Sequence, residues 1–145
     1  MKTLLDWGLL TAGWSLVALV IGSLWIPRVL GWREKLAVLS PLMREMWWTY
    51  SAYVWGSHGF FAVLLLGHRE WLMGGGSEAM AMAVFMLLWW AIRLGLQFFG
   101  FDLREVKDSP AKRWAKHLLT LLFVGLVGVL GMLVCWNAGW IPEAL

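Results

Sequence analysis

The chain has 145 residues, room for one domain, with 61% hydrophobic and 14% charged residues and a formal net charge of +3. Soluble domains run nearer about 45–50% apolar and about 25% charged, so a water-soluble core of this size is excluded. The small positive charge does not indicate a nucleic-acid partner, because the basic residues cluster in a way that a membrane explains better.

Four stretches are long enough to cross a hydrocarbon layer of about 30 Å, which takes about 20 apolar residues: 7–26, 46–67, 79–101 and 118–141. Only the third carries an Asp, Glu, Lys or Arg, namely Arg93. The expected fold is an all-α, integral membrane four-helix up-down bundle in one domain spanning 1–145. The first stretch exceeds a signal-peptide core of about 7–15 residues, and it runs into Trp25-Ile26-Pro27-Arg28 instead of a small-residue cleavage site. It is expected to be a retained helix.

The connection after the first stretch carries Arg28, Arg33, Lys35 and Arg44. Within it, residues 28–40 alternate Val29, Leu30, Trp32, Leu36 and Leu39 with Arg33, Glu34 and Lys35 between Pro27 and Pro41. That pattern predicts a short amphipathic helix on the cytoplasmic membrane surface. The third connection holds Arg104, Lys107, Lys112, Arg113 and Lys116, whereas the opposite side has only Lys2 and Arg69. Lys and Arg collect on the cytoplasmic side, so both termini are expected to face outward, in a bacterial-type plasma membrane. Trp25, Trp32, Trp47, Trp48 and Trp114 at one boundary, and Trp7, Trp71, Trp136 and Trp140 at the other, form two anchoring belts. Gly74-Gly75-Gly76-Ser77 lacks the GK[ST] ending of a phosphate loop and reads as a turn.

On the second stretch Ser51, Trp55, His58 and Ala62 recur at helical spacing, with Tyr50 beside them. On the third, Met86, Trp90, Arg93, Gln97, Gly100 and Arg104 do the same. Polar groups turned to lipid tails go unsatisfied, so both stripes are expected to face inward. The candidate ligand-binding set is therefore Arg93, Gln97, His58, Trp55, Trp90, Ser51 and Tyr50. A charge as deep as Arg93 calls for a partner or a water-lined cavity, and no carboxylate in the sequence sits at its depth. The competing readings are that Arg93 snorkels to the headgroups and that Ser51, His58 and Gln97 are interhelical hydrogen-bonding glue.

Catalytic and metal signatures are missing. His58, His68 and His117 fall at three depths, which does not suit bis-His haem within one chain. Cys135 is the single cysteine and has no charged neighbour in its span. Gly125, Gly128 and Gly131 are expected to serve close packing within the bundle or against another subunit. The function expected is a non-enzymatic membrane protein that binds an apolar or amphiphilic ligand of lipid or quinone type, or an accessory subunit of a membrane complex. Its expected partners are membrane lipids, with a homo-oligomer or larger complex as a further option; no cofactor is assigned. Two other classes stand beside it: an oligomeric transporter or channel with Arg93 and Gln97 lining an anion path, and a redox protein holding haem or quinone.

Overall fold

A computed structural model describes residues 1–99 and 110–141, with side chains from residue 114 in the second segment. Gly100 and Arg104 of the third-span stripe, and the charged side chains of residues 101–113, lie outside the described residues. Those described form seven helices and no strand: α1 Lys2–Ser23, α2 Ile26–Val29, α3 Trp32–Leu36, α4 Pro41–Gly67, α5 Arg69–Leu72, α6 Ser77–Phe99 and α7 Pro110–Asn137.

Three segments are long and apolar enough to cross a membrane: Lys2–Val29, Ser77–Phe99 and Trp114–Asn137. They point to a membrane protein. Large apolar side chains on α1, α6 and α7 face outward, and Trp14, Ile92 and Leu121 are 63%, 65% and 71% exposed. An exterior this apolar suits lipid better than water. Helix α4 is 27 residues long, about 40 Å at 1.5 Å per residue, but it is not among the three. Thr49, Tyr50, Ser51, Tyr53, Ser57 and His58, spread over its middle, lower its hydropathy.

Its serine and threonine hydroxyls are nevertheless satisfied. Thr49, Ser51 and Ser57 donate to the carbonyls of Glu45, Trp47 and Tyr53, one turn back, at 2.8–2.9 Å. This back-bonding lets a hydroxyl sit in an apolar setting without a partner on another helix. Pro41 occupies the start of α4, where its missing N–H costs nothing. Ser40 caps that end by accepting from the Met43 N–H at 3.4 Å.

The amphipathic connection differs from a single helix. Gly31 adopts φ 61°, a left-handed conformation suited to glycine, and splits the segment into α2 and α3. This turn brings Trp32 back onto α4, 5.4 Å from the Trp47 ring and 5.9 Å from Trp48.

Helix α1 packs on α4 and α7, and α7 packs on α6. The α1–α4 approach depends on Gly13, where an added Cβ would fall 2.7 Å from Leu66 Cδ2 and 3.2 Å from Leu65 Cβ. Gly125, Gly128 and Gly131 have nothing within 4 Å of such an atom, so they do not serve close packing within this chain. Helices α4 and α6 are joined through rings: Phe61 contacts Phe85 and Trp89 at 5.9 and 5.7 Å.

At the end where α1 starts, Arg69 Nε donates to Asp6 Oδ1 at 2.8 Å. Trp136 Nε1 donates to the Met73 carbonyl at 3.1 Å, and Asn137 Nδ2 to that of Leu72 at 2.8 Å. These bonds tie α1, the α4–α5 corner and the end of α7 together. Beneath them lies a packed core that includes Leu5, Leu9, Leu65, Leu72, Met86 and Leu130.

Candidate functional site

The core does not extend through the molecule. Toward the Trp47 end the helices border a partly open cavity of about 590 Å³, lined from all four long helices. Tyr50, Ser51, Trp55 and His58 enter it from α4, and Arg93 and Gln97 from α6. Helix α1 adds Leu19 and Ser23, α7 adds Leu119 and Phe123, and Trp32 and Ile26 come from the α2–α3 segment. Six of the seven sequence-derived candidates thus meet around one space. Trp90, the seventh, is fully buried beside it.

The end of the cavity nearest the core is a stack of rings. The His58 and Trp90 centroids are 4.8 Å apart, with planes inclined at 32°. Trp90 is 5.5 Å from Phe123, and the Arg93 guanidinium carbon lies 5.9 Å from the Phe123 centroid. Trp89 meets His58 edge-on at 6.3 Å. Histidine and arginine, from facing helices, are held by aromatic surfaces that restrict their rotamers.

The polar groups differ in what they already bond. Ser51 is committed to its own helix, which removes it from the glue reading. His58 is only 5% exposed, and its Nδ1 has no hydrogen-bond partner among the described residues; neither has the indole nitrogen of Trp90. Buried polar atoms left in that state cost about 1–3 kcal/mol each. Among the described residues no Asp or Glu lines the cavity, while Arg93 and Gln97 do, a donor-bearing lining that suits acceptor groups.

His68 and His117 are exposed on other elements, and no cluster of three or more His, Cys, Asp or Glu occurs among the described residues. Phe123, Trp32 and the α1 residues were not singled out from sequence. Phe123 and Leu119 sit in a uniformly apolar run, where nothing marks which face turns inward. Trp32 was assigned to a membrane belt, and only the turn at Gly31 brings it to the cavity.

No protein-family model, curated protein or solved structure matches this chain.

Proposed function

We propose that this chain is a small, non-enzymatic, multi-pass membrane protein that holds an amphiphilic ligand in its cavity, with the ligand's acceptor head at His58, Arg93 and Gln97. In this reading α1, α4, α6 and α7 all cross the membrane as an up-down bundle. Both termini lie on the non-cytoplasmic side of a bacterial-type plasma membrane, and the cavity opens in the cytoplasmic half. The observation that carries the proposal is the convergence of His58, Arg93 and Gln97, from two helices, in a space whose remaining wall is aromatic and aliphatic apart from Ser23 and Ser51, which bond their own helices. Ligand sites combine an apolar lining with a few placed polar groups in this way.

The nine-to-two distribution of Lys and Arg supports the orientation. Of the two basic residues on the sparse side, Arg69 is paired with Asp6. The packed core between the cavity and the Asp6 end favours a binding site over an anion path, which would have to pass Leu9, Leu65, Met86 and Leu130, all 0% exposed. Thermal denaturation in detergent, with and without a total membrane lipid extract, tests the reading. The wild type should be stabilised by the extract and Gln97→Leu stabilised less. Equal responses would overturn it.

A further inference from the structure

The cavity carries polar groups at its deep end, where a leaflet phospholipid would place its tails, as well as Ser23, Tyr50 and Ser51 nearer its mouth. From Trp47 to His58 is eleven residues of α4, about 16 Å of helix rise. Trp32, Trp47 and Ile26 line the end near the basic α2–α3 segment, while His58 and Arg93 line the end against the core. A phospholipid seated from that side keeps its phosphate at the interface and sends its tails toward the midplane. It would then place hydrocarbon on His58 and Arg93 and its charged head against Trp32 and Trp47.

We infer that the cavity instead receives a lipophilic quinone: a neutral ring with carbonyl acceptors at the His58 end and an apolar tail running back past Trp32 and Trp47. The inference rests on the proposed binding role of this cavity and names the ligand class. A neutral ring can occupy mid-membrane depth without the desolvation cost of a phosphate. Its carbonyls accept hydrogen bonds from both sides, from the His58 ring on α4 and from Arg93 and the Gln97 amide on α6. The side chains of Gln97 and His58 make no hydrogen bond among the described residues. Trp55 and Phe123 line the same space and supply aromatic surface of the kind that a flat ring packs against. The volume of about 590 Å³ lies within the range of about 300–1,000 Å³ for small-molecule sites.

The experiment titrates purified full-length protein in detergent with three probes and follows the melting temperature. The probes are decylubiquinone, dodecylbenzene (ring and tail without carbonyls) and short-chain phosphatidylglycerol. Decylubiquinone should raise the melting temperature at concentrations at least about tenfold below those at which dodecylbenzene acts. Loss of one hydrogen bond in His58→Leu or Gln97→Leu should weaken its effect about fivefold to tenfold. Gln97 is only partly buried, so that variant keeps the test valid if His58→Leu fails to fold. Equal action of decylubiquinone and dodecylbenzene, or an unchanged response in Gln97→Leu, overturns the quinone assignment. Protection by phosphatidylglycerol alone overturns it while leaving an amphiphile site in place. No response to any probe overturns both readings.

Discussion

The ring of His58 on α4 lies 4.8 Å from that of Trp90 on α6, and this stack is the floor on which the cavity stands. Trp90 continues it to Phe123 on α7, so one indole connects three helices. Trp90→Ala would open a cavity at the junction, and large-to-small changes of this kind cost about 3–5 kcal/mol. Trp90→Phe keeps a ring in place and deletes an indole N–H that has no partner among the described residues. Its cost should be less than half as large. Unfolding in mixed detergent micelles measures both; Trp90→Ala as stable as the wild type would contradict the role given to the stack.

Gly13 and Gly128 make a second contrast. A methyl group at Gly13 meets Leu66 and Leu65, so Gly13→Ala should destabilise by about 1–3 kcal/mol through overpacking. Gly128→Ala meets nothing within 4 Å and should be neutral or slightly stabilising, since alanine is the better helix former. Parallel unfolding curves decide it, and equal effects of the two substitutions would refute the α1–α4 approach described above.

These comparisons show what was legible in the sequence. The apolar stretches gave the helices to within a turn or two at most ends, because hydrophobic length is a direct record of burial in lipid. Helical spacing placed Ser51, Trp55 and His58 on one face and Trp90, Arg93 and Gln97 on another, and those faces do meet. The glycines were legible only in part, because spacing reveals a small residue but not what lies over it: packing within the bundle is excluded for Gly125, Gly128 and Gly131, and packing against another subunit is not. Gly125, Gly128 and Gly131 are open, while Gly13 carries the close contact. Ser51 misled as interhelical glue, since its hydroxyl bonds Trp47 of its own helix. The clamp of Asp6 with Arg69 joins residues 63 apart, a pairing that no local pattern encodes.

The proposed orientation rests on the charge distribution. Reporter fusions after residue 75 and at the C-terminus should report the non-cytoplasmic compartment, and those after residues 38 and 108 the cytoplasm. A cytoplasmic C-terminus would contradict the proposed topology. A cytoplasmic reporter at 75 would remove α4 from the set of spans.

Arg93→Lys separates recognition from anchoring. Lysine keeps the charge and also snorkels, but it lacks the planar fork that grips a carbonyl. If Arg93 serves the ligand, the substitution should weaken ligand-induced stabilisation about tenfold while leaving the unliganded melting temperature within a few degrees. An unchanged ligand response would make Arg93 an anchor only.

Whether this cavity holds an amphiphile is decided by blocking it. Ser51 lines the cavity, and its hydroxyl bonds only its own helix, so Ser51→Trp fills the space while breaking no interhelical hydrogen bond. Wild type and Ser51→Trp would be purified in parallel, extracted with organic solvent and analysed by mass spectrometry. The account predicts an amphiphilic compound with an acceptor-bearing head, at near-stoichiometric yield in the wild type and at least about tenfold depleted in the variant. Indistinguishable extracts from two equally well-folded proteins would contradict it.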